Sequence, residues 1–108
     1  MKRYGQVIRL KPGMEETYRT LHAAVWPGVL KTIRDCNIRN YSIFLRDGFL
    51  FSYFEYAGGD FEADMKKMAA DLTTQLWWGE CNPCQQPVET AGSGVWWADM
   101  DEVFHFEG

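Results

Sequence analysis

Apolar and polar positions alternate from Tyr4 to Leu10, with Tyr4, Gln6, Ile8 and Leu10 on one side and Gly5, Val7 and Arg9 on the other. That period of two predicts a strand, and Lys11-Pro12-Gly13 predicts the turn that ends it. The period then lengthens. Met14, Tyr18, Leu21 and Val25 fall on one stripe of a helix running from about Met14 to Ala24. Pro27 opens a second helical piece, where its missing amide costs nothing, and Val29, Leu30 and Ile33 give that piece an apolar face to about Cys36. Alternation returns from Arg39 to Leu45, with Tyr41, Ile43 and Leu45 on one side. Asp47-Gly48 is a two-residue hairpin signal into a third strand, Phe49 to Tyr56. Asp60 is an N-cap candidate for a helix in which Phe61, Met65, Met68 and Leu72 repeat, and Thr73 restarts a short helix carrying Trp77 and Trp78. From Glu80 to Ala98 no period is visible, and Glu102 to Phe106 reads as a last strand.

The order β-α-β-β-α-β is the ferredoxin-like arrangement, an α+β sandwich occupying residues 1–108 as one domain. Such a sheet carries helices on one face only, yet the third strand is apolar on both faces. A strand of that kind is covered on both sides. A second copy of the chain supplies the missing cover, so the pattern predicts a homodimer whose two sheets pack face to face as a dimeric α/β barrel.

Composition narrows the partners. The 108 residues carry a net charge of -4 and no basic run among the aromatics, which argues against nucleic acid. No apolar run approaches the ~18–20 residues of a membrane span, and Met1 to Leu10 alternate rather than forming a secretory core, so a cytoplasmic protein is expected. Cys36, Cys81 and Cys84 are an odd number of cysteines, which argues against a disulfide framework. Cys81-Asn82-Pro83-Cys84 has neither the strand-to-helix setting of a redox motif nor the second pair that a structural zinc needs, so it reads as small loop residues. Aromatic residues are 16% of the chain, more than so small a core hides, which points to a ligand pocket or an interface.

The candidate chemistry lies in one row. Tyr18, His22 and Trp26 recur every four residues, which stacks a phenol, an imidazole and an indole along one helix face just before Pro27. The same spacing serves a core stripe, and spacing alone does not separate the two. His105, alone in the last strand, reads as structural or surface.

The H-x-x-x-W-P around His22, the run Asn40-Tyr41-Ser42-Ile43-Phe44-Leu45 and the pair Trp77-Trp78 together resemble the L-rhamnose mutarotase family. The resemblance covers Tyr4 through Trp78 and returns at Glu102-Val103-Phe104. It implies the same dimeric barrel, and a sugar site in which Tyr18, Tyr41, Trp77 and Trp78 bind substrate around His22. Trp26 is a further candidate for the pocket wall. The chain departs from the family pattern at Gly28, where many relatives carry glutamate, and in the segment after Trp78 through Trp96-Trp97. Both departures bear on which 6-deoxy sugar fits, L-rhamnose or L-fucose.

The residues suit anomer exchange. An aldose changes anomer by opening its ring and closing it on the other carbonyl face. Opening needs a proton at the ring oxygen and the loss of one from the anomeric hydroxyl. An imidazole, with an ordinary pKa near ~6.5, serves as general acid, the role expected of His22. Phenols with ordinary pKa near ~10 are poor bases, so the tyrosines are assigned to hydrogen bonding. Indoles suit the C–H face and methyl group of a 6-deoxy sugar. The reaction requires neither metal nor organic cofactor. The rival readings are a cofactor-free dimeric-barrel monooxygenase and a non-catalytic sugar-binding module.

Overall fold

The computed structural model describes residues 1–108. Its elements follow the order β1 (Lys2–Leu10), α1 (Glu15–Ala23), α2 (Pro27–Asp35), β2 (Ile38–Arg46), β3 (Phe49–Tyr56), α3 (Phe61–Ala70), α4 (Leu72–Cys81), β4 (Gln85–Gln86) and β5 (Ala98–Met100). All strand pairs are antiparallel, in spatial order β2-β3-β1. The free edge of β1 is shared: β4 lies opposite Arg9 and Leu10, and β5 opposite Gly5 to Val7. The result is the ferredoxin-like α+β sandwich, with the fourth strand split into two short pieces.

Local chemistry accounts for the joints that place the site. Glu15 and Glu16 sit in the first turn of α1, where negative charge favours the helix dipole. Trp26 is extended (φ -63°, ψ 135°), as a residue before proline must be, and Pro27 takes the first position of α2. Asp71 ends α3 and caps α4, its carboxylate accepting from the backbone N–H of Thr74 at 2.9 Å. A cap of this kind contributes about 1 kcal/mol and here also restarts the helix that carries Trp77. Leu72, expected to extend the α3 stripe, instead begins α4 and points outward. Asp47 and Gly48 both have positive φ (52° and 78°), as the hairpin signal requires.

β2 contains one extra residue between Arg39 and Ser42 relative to β3. Asn40 adopts positive φ (49°) at this bulge. The bulge changes the alternation, so that Ile38 before it and Tyr41, Ile43 and Leu45 after it all face the helices. Without the extra residue Tyr41 would point to the other side.

The core lies between the sheet and the helices. Ile8, Leu10 and Leu50 pack with Tyr18, Val29, Trp77, Cys81 and Cys84, and a second cluster joins Ile38, Phe54 and Tyr56. Fully buried side chains such as Ile8 and Leu50 contribute about 1.5–3 kcal/mol each. The other sheet face presents Val7, Phe44, Phe49, Phe51, Tyr53 and Met100, and the helices leave it uncovered.

Two expectations are corrected. Glu102 to Phe106 is not a strand. β5 ends at Met100 opposite Gly5, so continuing its register brings Glu102 to Arg3, which it meets in an ion pair at 2.8 Å. Two positions further on, β1 has no residues left to pair with, and Val103, Phe104 and Phe106 are 94%, 82% and 77% exposed. The C-x-x-C pair is not loop surface either. Cys81 ends α4, Cys84 ends a 3-10 turn over Asn82–Cys84, and both are buried in the larger cluster. Burial pushes the Cys81 thiol up to about 12 and raises Cys84 and Cys36 as well. Thiolate is the reactive form. All three thiols are therefore expected to stay inert to a thiol-disulfide reagent at pH 7.5 in the native protein and to react once urea unfolds it. Prompt reaction of the native protein would revive a redox role.

Candidate active site

Two adjoining cavities, of about 440 and 300 Å³, open between the helices and the β2 edge. They share His22 and Ile43. Tyr18, Arg19 and Leu50 line the first, and Tyr41, Trp77 and Leu30 are among the walls of the second. Neither wall contains a carboxylate. The shape suits a small molecule with several oxygens and apolar faces.

The i, i+4 spacing holds for two members of the row, Tyr18 and His22; α1 ends at Ala23, so Trp26, extended before Pro27, leaves that helix face. The rings of Tyr18 and His22 stack at 4.1 Å between centroids, 26° from parallel. Trp77 meets His22 edge-on at 5.3 Å. The His22 Nδ1 lies 2.9 Å from the Tyr18 carbonyl oxygen. A carbonyl only accepts, so Nδ1 carries the hydrogen in this assignment, leaving Nε2 as the nitrogen free to exchange a proton with a bound molecule.

Tyr18 is nearly buried. Its oxygen accepts from Gln85 Nε2 at 3.1 Å. Burial raises its ionisation well above the ordinary phenol range, and the Gln85 bond pulls it back only in part. Tyr41, brought inward by the bulge, packs edge-on against Phe54 at 5.7 Å. Its ionisation is also raised, to about 12, by burial. The direction follows from the protein atoms crowding the phenol within the groove, although 44% of the residue's surface faces solvent along the edge strand. Both phenols therefore stay protonated at neutral pH.

These shifts have a stability consequence. In the unfolded chain the tyrosines release protons near ~10 and the cysteines near ~8.5, whereas the folded groups hold theirs to higher pH. Above those values the native state binds more protons than the unfolded state, so stability falls as pH rises. Full stability is expected below about pH 8.5, declining as pH climbs toward 12. Urea midpoints measured between pH 7 and pH 11 check this.

Of the expected site residues, Tyr18, His22, Tyr41 and Trp77 converge on the cavities. Trp26 does not line them and stands behind Trp77, edge-on at 5.2 Å, holding its plane. Trp78 is one helical step from Trp77, rotated away from the cavities and 37% exposed. Gly28, one of the two departures from the family pattern, marks a close helix approach: a Cβ there would lie 3.1 Å from the Thr73 side chain on α4. Sequence reasoning missed Gln85 and Trp96, whose side chains bond to one another beside Tyr18.

Fold and cavity together define a ferredoxin-like domain with an aromatic- and aliphatic-lined cavity around His22. The family model for L-rhamnose mutarotase matches residues 3–106. An L-rhamnose mutarotase of Phocaeicola vulgatus is 33% identical over 115 aligned residues, covering 99% of this chain and 100% of the relative. The chain belongs to the L-rhamnose mutarotase family. Among solved structures, the L-rhamnose mutarotase FA22100 of Formosa agariphila superposes with a TM-score of 0.78 at 21% identity, covering 99% of this chain and 100% of its own. Tetracenomycin F2 cyclase of Streptomyces glaucescens superposes with a TM-score of 0.74 at 11% identity, covering 100% and 99%, a likeness of fold alone.

Proposed function

We infer that this chain is a mutarotase that interconverts the α and β anomers of L-rhamnose, acting as a homodimer. The observation that carries the reading is His22: its Nδ1 is committed to the Tyr18 carbonyl and it stands in the wall of both cavities, in a chain matched almost end to end by the mutarotase family. Protonated His22 delivers the Nε2 proton to the ring oxygen as the bond from that oxygen to the anomeric carbon breaks. The anomeric hydroxyl gives up its proton to water, since the tyrosines are held protonated and no carboxylate lines the walls. The open-chain aldehyde turns about its first carbon–carbon bond and closes on the other face. His22 then takes the ring-oxygen proton back, and water returns the other.

Tyr18 and Tyr41 hold sugar hydroxyls. Trp77, with Val25, Val29, Leu30 and Ile33, provides the apolar wall for the C–H face and the methyl group. Polarimetry on a freshly dissolved single anomer tests the reading: rotation should relax faster in proportion to protein concentration, and an unchanged relaxation would exclude it.

The homodimer reading rests on the uncovered sheet face and the exposed tail. A stable interface of about 1,200–2,000 Å² needs an apolar centre, which Phe51, Tyr53 and Val7 provide. Phe51→Glu places a charge at that centre. It is expected to convert a dimer into a monomer by light scattering while the far-UV circular dichroism spectrum is kept. A wild-type protein that is monomeric at micromolar concentration would exclude the interface.

A further inference from the structure

We infer that Gln85 and Trp96 fix the polarity of the Tyr18 hydroxyl, making Tyr18 a dedicated hydrogen-bond donor toward the bound sugar. The chain of reasoning starts at Trp96. An indole N–H donates and never accepts. Trp96 Nε1 lies 2.8 Å from Gln85 Oε1, so the amide oxygen is spoken for, and the amide nitrogen is the end that faces Tyr18, at 3.1 Å. A flipped amide would set its N–H against the indole N–H, two donors facing one another, and would leave the buried amide oxygen without that partner, an arrangement that folded proteins avoid. The amide nitrogen also only donates. The phenol oxygen therefore accepts from Gln85, and its own hydrogen is directed elsewhere.

The device is rigid. Gln85 is 3% exposed, its backbone is paired with Leu10 in β4, and the neighbouring Cys84 carbonyl accepts from Lys11 N–H at 2.8 Å. Gln85 and Trp96 both come from the stretch after Trp78 that departs from the family pattern. They act on Tyr18 from behind the cavity wall that it shares with His22.

The polarity has a chemical use. During ring opening the anomeric oxygen changes from a hydroxyl, which donates and accepts, to a carbonyl, which only accepts. A phenol that can only donate forward suits the open-chain form. Gln85 and Trp96 are positioning residues, since they act through Tyr18 and line neither cavity.

The kinetic part of the test rests on the mutarotase reading, and the spectroscopic part does not. Gln85→Glu keeps size and the Trp96 bond but offers Tyr18 an acceptor, reversing the bond. Gln85→Met removes it at similar volume, and Trp96→Phe frees the amide to turn. With tyrosine labelled at the ring carbon bearing the hydroxyl, Gln85→Glu is expected to shift the Tyr18 carbon-13 resonance, and Trp96→Phe to shift it less. With L-rhamnose, Gln85→Glu is expected to lower kcat about ten- to a hundredfold with a smaller change in KM, as for one misdirected hydrogen bond. In a Tyr18→Phe background the same substitution should add nothing further. An unmoved Tyr18 resonance in folded Gln85→Glu protein overturns the inference, as does a kinetic loss that persists without the Tyr18 hydroxyl. A shifted resonance in a protein inactive on every sugar would uphold the polarity and remove the mutarotase reading instead.

Discussion

His22→Ala is expected to abolish protein-dependent anomer exchange while leaving the fold and the oligomeric state unchanged. The loss should reach about 10²–10⁴-fold, the usual contribution of a positioned general acid. His22 is only partly buried, in the last turn of α1, so its removal takes away no major part of the core. Its neighbours offer no replacement. Tyr18 and Tyr41 are held protonated by burial, and no carboxylate lines the walls. His22→Gln is the sharper version, because it keeps a hydrogen-bonding group but cannot titrate. Saturation transfer with each variant, beside size-exclusion chromatography, checks both halves of the expectation. Wild-type exchange in either variant would remove His22 from the mechanism.

Trp77→Ala is expected to have the largest effect on stability of any single change in the site, about 3–5 kcal/mol, as for an indole deleted from a core. Trp77 is 6% exposed and packs in the cluster with Ile8, Val29 and Leu50, while also touching His22 and Trp26 edge-on. A small domain has only about 5–15 kcal/mol in total, so the urea midpoint should fall by a large fraction. Trp78→Ala, one step along the same helix, should cost far less. Trp77→Phe should recover most of the stability yet raise KM for the sugar, because a smaller ring offers less apolar wall. Equal losses for the two tryptophans would contradict the placement of α4.

Much of this architecture was legible in the order of residues, because it depends on near neighbours. The Asp47-Gly48 turn, the period-two run of β1 and the four-residue spacing of Tyr18 and His22 are all set by residues close together in the chain. What escaped depends on distant parts of the chain. The alternation of Glu102 to Phe106 suits a strand, but β1 runs out of partners before it. The pair Trp77-Trp78 looks equivalent in sequence, and only the 100° helical step separates the cavity wall from the surface. Cys81 and Cys84 carry a spacing with chemical associations, whereas their burial makes them ordinary core. Gln85 and Trp96 sit in a stretch with no period, and their significance comes from Tyr18, which is 67 residues from Gln85.

The most direct test of the mutarotase claim is NMR saturation transfer between the α and β anomeric protons, with L-rhamnose and L-fucose in parallel and His22→Ala as the control. The expected result is exchange that grows with protein concentration, is greater for L-rhamnose, and vanishes in the variant. Exchange at the protein-free rate with both sugars, from folded wild-type protein, would contradict it.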